Sequence, residues 1–106
     1  MYKYTTPTHI FEFPEDPSLY SEIEVTYSQN GKIILVKNKD EMIFEYDSDH
    51  YYGTINLTQE ETAKFNSNWK ASIQIRVLTN IGKCYASEEF QVCVKPVLNE
   101  RVLGEF

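Results

Sequence analysis

The chain is short of most residue types that mark a specialised protein. In 106 residues it has two cysteines, two histidines, one tryptophan, four glycines and four prolines. Each shortage excludes something. Cys84 and Cys93 are nine positions apart (93 − 84) in a stretch that reads as one strand. At ~3.3 Å per residue their Cα atoms would lie about 30 Å apart, whereas a disulfide needs less than about 7 Å. Free thiols are expected; the alternative, a pair brought together by a turn, runs against the strand pattern. Glycine and proline are too sparse for a linker or a low-complexity segment. No apolar run approaches the roughly 18–20 residues of a membrane span. The opening MYKYTTPTHIFEF lacks the charged-then-apolar layout of a signal peptide, so the sequence reads as a protein kept in a cytoplasm unless an assembly carries it outside.

Positive charge is scarce too. Ten Lys and Arg stand against sixteen Asp and Glu, a net charge of −6. A phosphate backbone would be repelled, since binding there needs clustered cations that release counterions. No basic patch with interleaved aromatics is present, and neither a nucleic acid nor a membrane is an expected partner. His9 and His50 fall in no metal-ligand spacing such as HExxH, and there is no CxxC. A glycine-rich phosphate loop and a serine-centred elbow are also absent. No catalytic residue, cofactor or metal is expected, and the chain does not read as an enzyme.

What the chain does have is aromatic and β-branched residues. The hydrophobic fraction is 42% and the aromatic fraction 14%, with eight Tyr and six Phe, a composition that favours β-structure. The length suits a single domain, 1–106, able to bury its own core. In SEIEVTYSQ, Ile23, Val25 and Tyr27 alternate with Glu22, Glu24 and Thr26, the pattern of a half-buried strand. Asn30-Gly31 then tolerates positive φ at both central positions of a type I′ turn, and KIILVK runs back. THIFEF, MIFEY, HYYGTINL, KASIQIRVLT and KCYASEEFQVCV complete the set. About seven short strands at this spacing predict an all-β, immunoglobulin-like antiparallel sandwich, with a partly open barrel as the alternative. The predicted core is Ile23, Val25, Tyr27, Leu35, Ile55, Leu57, Phe65, Ile73, Ile75, Val77, Phe90, Val92 and Val94.

One stretch breaks the strand pattern. LTQEETAKF offers a capping box, in which Thr58 accepts the Glu61 amide and the Glu61 side chain reaches back to the Thr58 amide. Glu60 and Glu61 also suit the positive end of the helix dipole. A short helical turn near 59–64, carrying Phe65 into the core, is the expected crossover between sheets.

The remaining constellations have plain structural readings. Asn56-Leu57-Thr58 matches a glycosylation sequon, but Thr58 is needed as a cap. Glu45, Asp47, Asp49 and His50 gather carboxylates without the glycine and later glutamate of a calcium loop, and they read as a solvated acidic turn. A Cys–His pair from Cys84 or Cys93 would need an activating environment. Adjacent carboxylates such as Glu15-Asp16, Asp40-Glu41 and Glu88-Glu89 point apart and so do not form an acid–base pair. Trp69 is expected to cover the end of the core. Tyr46, Tyr51 and Tyr52 lie beside the acidic turn, where exposed rings could stack on a sugar; packing inside the sandwich explains them equally well.

Three stretches resemble a group of small proteins of tailed phages and prophages of Gram-positive, largely gut, bacteria. They are VTYSQNGKIILVKNKDE, the block YGTINLTQEETAKF leading into ASIQIRVLTNIGKCYASEEFQVCV, and the tail KPVLNERVL with its "VLxxxVL" ending. The resemblance runs from about Thr5 to Leu103 and is similar to the N-terminal immunoglobulin-like module of phage upper-baseplate proteins, which carries a "GxxxxxLTxEET" crossover. It implies a structural or accessory role in a virion, through contacts with other virion proteins or self-association, and a path from host cytoplasm to particle. The motifs are scaffold, so no site residue transfers. The two cysteines and the N-terminal MYKY depart from the pattern.

Overall fold

The computed structural model describes residues 1–104. The strands are β1 (Thr8–Phe13), β2 (Tyr20–Gln29), β3 (Lys32–Asn38), β4 (Ile43–Asp47), β5 (His50–Asn56), β6 (Ala71–Thr79), β7 (Cys84–Ala86) and β8 (Phe90–Val92). One helical turn, α1 (Gln59–Ala63), stands between β5 and β6, and 3₁₀ turns occupy Pro17–Leu19 and Lys39–Glu41. Every strand pairing is antiparallel. One sheet has the order β1-β5-β4; the other runs β3-β2-β6-β7, with β8 pairing the same strand β6 beyond β7. The fold is an antiparallel immunoglobulin-like sandwich, with one sheet three columns wide and the other four.

Local chemistry explains the connections. Asn30 and Gly31 take φ values of 50° and 75°, as the type I′ hairpin demands. A bulge between Tyr27 and Ser28 leaves Ile34 without a partner residue on β2; Leu35, opposite Tyr27, is half-buried against the core rather than fully enclosed. Gly53 sits where Phe13 and Met42 close over the inner face. A Cβ there would stand 2.6 Å from Met42 Cε and 2.6 Å from Phe13 Cε2.

The segment expected as one strand, 83–94, is split in two. Ser87 donates its N–H to the Ile75 carbonyl at 2.8 Å, while its Oγ accepts the Ile75 N–H at 3.0 Å. The hydroxyl thus takes the place of a main-chain acceptor, and the register of β8 against β6 moves by one residue. Eight strands result instead of about seven.

Most of the predicted core is enclosed, including Val25, Tyr27, Ile55, Phe65 and Ile73. Val92 is half-buried. Phe90 is 49% exposed: it points to the inner side beside Ile73, but an open groove separates it from β1, the nearest strand of the narrower sheet among the described residues. Trp69 is also exposed, and its carbonyl, not its ring, anchors the segment by accepting from buried Gln29 at 2.9 Å. Phe11, Phe13, Tyr20, Met42 and Ala71 join the core from outside the predicted set.

The crossover is built as its sequence predicts. Thr58 Oγ1 accepts the Glu61 N–H at 3.1 Å, and the Thr58 N–H donates to Glu61 Oε1 at 2.9 Å. Phe65 packs edge-on against Tyr27, with ring centroids 6.0 Å apart. On the facing strand, His9 Nδ1 lies 2.7 Å from the Tyr27 hydroxyl. Burial and the N-terminal ammonium lower the His9 pKa, and burial raises that of Tyr27.

Two outcomes follow. Thr58→Ala lowers unfolding free energy by about 0.5–2 kcal/mol while Thr58→Asp is nearly neutral, in denaturant titration, because aspartate also caps. A folded His9 with a lowered pKa resists a proton that the unfolded chain accepts, so its contribution is present above pH 6.5 and declines as pH falls below that value. The melting temperature of the wild type therefore drops on acidification from pH 6.5, and His9→Gln removes that step.

Candidate interaction surfaces

Register decides which of the three candidate tyrosines meet. Tyr46 lies opposite Tyr51, and Phe44 opposite Gly53, so these residues share the inner face with buried Ile55. The rings of Tyr46 and Tyr51 are 4.9 Å apart at 39°. Tyr52 points to the outer face beside Glu45, where His50 stacks on it at 6.2 Å. The structure thus brings Tyr46 and Tyr51 together and separates Tyr52. His50 Nδ1 contacts Glu12 Oε1 on β1, so the acidic turn is tied back to the sheet.

The Tyr46–Tyr51 pair lies beyond the covering sheet, in an open groove of about 610 Å³ that includes Asp16, Pro17 and Ser18 of the first 3₁₀ turn, Lys39 of the second, and Phe44 and Glu45. Burial, with the charge of Asp16, raises the Tyr51 pKa. Lys39 Nζ is already engaged with the Tyr20 carbonyl at 2.6 Å. The groove offers the two tyrosine ring faces and the Asp16 carboxylate, since Glu45 alternates to the outer face with Tyr52. That set can stack on a flat apolar face and accept hydrogen bonds from hydroxyls.

A second feature is the pair of edges on the narrower sheet, β1 and β4, that are unfilled among the described residues. On β4, Ile43, Phe44 and Tyr46 are 56%, 36% and 62% exposed. On β1, the Leu57 N–H donates to the Pro7 carbonyl at 3.0 Å. Hydrogen-bonded and open pairs alternate along an antiparallel ladder, so His9, Phe11 and Phe13 bond to β5. Thr8, Ile10 and Glu12 then turn their N–H and C=O groups away from it. Sequence alternation signals a strand but not its place in a sheet, and neither edge was legible from it.

Lys37 is the other functional-looking side chain that sequence reading missed. It occupies an inward position of β3 opposite Val25 and is buried. Its ammonium contacts Glu61 Oε2 and, at 3.1 Å, Glu41 Oε2. Burial acts to lower the Lys37 pKa, but the two carboxylates outweigh it and the net shift is upward. Glu61 shows the converse: burial acts upward, while Lys37 and the Thr58 amide hold it below the usual range. At the far end of β1, burial and the neighbouring Glu15 push the Tyr20 hydroxyl up to about 12. Cys84 and Cys93 are both exposed and free, as their spacing predicts. Among the described residues no helix is long and apolar enough to cross a membrane.

No protein-family model matches the chain, and no curated protein matches it. Among solved structures, the chain is similar to part of the uncharacterised protein lmo2446 from Listeria monocytogenes EGD-e, crystallised in complex with alpha-D-glucose, beta-D-glucose, magnesium and calcium. The TM-score is 0.58 at 17% identity, over 87% of this chain and 8% of that one. The chain therefore corresponds to a small fraction of that much longer protein, and the likeness shows the fold alone.

Proposed function

We propose that the chain is a non-enzymatic interaction module, a tail, baseplate or other accessory component of a phage particle that acts through protein–protein contacts. The observation that carries this reading is the three-stranded sheet, whose outer strands β1 and β4 are both unpaired among the described residues. Open edges present rows of unsatisfied main-chain groups and pair readily with other chains. On β4 the exposed Ile43, Phe44 and Tyr46 add apolar surface to that edge. The phage-protein resemblance of the crossover and the hairpin supports the setting of the contacts. A second reading, carbohydrate binding, is favoured by the Tyr46–Tyr51 ring pair beside Asp16; the structurally similar protein, of which this chain matches 8%, was crystallised with glucose.

The reading is tested by titrating the purified chain against the products of its neighbouring genes and against phage tail and head proteins, with complex mass followed by light scattering. A defined complex with at least one of them is the expected result. Failure to bind any of them, together with saturable shifts of the Tyr46 and Tyr51 resonances on adding glucose, would replace it with the carbohydrate reading.

A further inference from the structure

We propose that the free edge of β1 accepts one extended strand of another protein, which completes the narrower sheet and covers the inner face of β7 and β8. This rests on the interaction-module reading and adds where the partner docks and what it looks like.

The argument starts from the unequal widths. The wider sheet has four columns and the narrower one three. Strand β1 faces the wider sheet at β2 and β6: His9 packs on Tyr27, and Phe11 and Phe13 border grooves shared with Ile73, Ile75 and Val77. Between β1 and the β6–β8 side run two grooves of about 390 and 500 Å³, one walled by Phe13, Val77 and Tyr85, the other by Phe11, Ile73 and Phe90. Tyr85 and Phe90 pair with Val77 and Ile73, so they point to the core side of the sheet. They are nevertheless 53% and 49% exposed. Among the described residues, the fourth column has no strand opposite it. A strand laid along β1 would fall there, since adjacent strands lie about 4.8 Å apart.

The main chain of β1 is ready for it. Thr8, Ile10 and Glu12 turn their N–H and C=O groups to that side, by the alternation set at Pro7 and Leu57. Six residues of β1 offer about 20 Å of edge. Strand addition uses main-chain bonds for affinity and alternate side chains for specificity.

The occupant is a lone segment, not a second copy. Pairing β1 with β1 of another molecule about a two-fold axis would place the partner's β1 in the vacant slot. Its own β6 would then fall where β7 and β8 already lie. The overhang excludes that dimer by overlap, whereas a single extended segment brings no second layer. Charge narrows the segment further. The carboxylates beside the two grooves are Glu15 and Glu12, the latter on the outer face in contact with His50, and neither groove is lined by Lys or Arg. Glu88 and Glu89 are exposed at the bulge across from them. The complementary strand alternates apolar residues, set against Phe90 and Tyr85, with Lys or Arg on its other face.

The test uses the whole chain and a synthetic peptide of alternating Val and Lys, followed by NMR. On adding peptide to nine-tenths saturation, amide exchange at Ile10 and Glu12 slows about tenfold, because exchange then proceeds through the free tenth. The Phe44 and Tyr46 amides on the β4 edge do not change. Ile10→Pro removes a donor that β5 does not use, and proline is tolerated at such an edge position; this variant keeps its melting transition and loses the peptide. Tyr46→Pro, on the other edge, retains it. Protection at Phe44 and Tyr46 instead, no perturbation at millimolar peptide, or undiminished binding by a folded Ile10→Pro would each overturn the proposal. The two readings separate cleanly. A virion protein that binds Ile10→Pro as tightly as wild type sinks strand addition at β1 and leaves the module reading standing. Peptide capture at β1 without any virion partner does the reverse.

Discussion

One ammonium holds the two irregular corners of this sandwich. Lys37 Nζ lies between Glu41 Oε2 and Glu61 Oε2. Each of these glutamates uses its other oxygen to close a capping box, Glu41 on the Asn38 amide at 3.2 Å and Glu61 on the Thr58 amide at 2.9 Å. The caps fix where each turn begins, and the shared cation fixes the turns relative to one another. A buried lysine without these partners would be costly. Two carboxylates without the lysine would repel each other across the same site. The arrangement is interdependent, so the loop after β3 and the crossover after β5 have one relative position.

From that point the crossover reaches most of the molecule. Thr62 exchanges hydrogen bonds with the Thr5 main chain, its Oγ1 accepting from the amide at 3.0 Å and donating to the carbonyl at 2.9 Å. Gln59 does the same for Leu103 near the other end of the described chain. Phe65 enters the core against Tyr27. The turn thus ties the segment before β1, the C-terminal tail and both sheets together. With β1 held at its start and paired along its length to β5, its outer edge is already extended. A preformed edge loses little conformational freedom on binding, which favours strand addition.

Much of this was legible in the sequence. The Asn30-Gly31 hairpin, the Thr58/Glu61 box and the alternation of Ile73, Ile75 and Val77 are local signals, and local chemistry decides them. What was not legible depends on partners distant in sequence. Lys37 reads as surface because charge normally means solvent, yet its register opposite Val25 turns it inward to meet Glu61, twenty-four positions on (61 − 37). Ser87 breaks a strand because its hydroxyl replaces a carbonyl in the ladder with Ile75, and no propensity encodes that. Phe90 was assigned to the correct face but is exposed, because burial also requires a facing strand. Tyr52 sits beside Tyr51 in the chain and on the opposite side of the sheet, as a period of two dictates.

The proposed function follows from the same mismatch of widths. A four-column sheet over a three-column one leaves apolar surface at Phe90 and Tyr85 and an unfilled ladder along β1. The proposed added strand would cover both. Site-resolved hydrogen exchange of the free protein tests this most directly. The account predicts alternation along β1: slow exchange at His9, Phe11 and Phe13, and fast exchange at Thr8, Ile10 and Glu12. Uniform protection across all six would mean that the edge is already paired, and it would contradict the account.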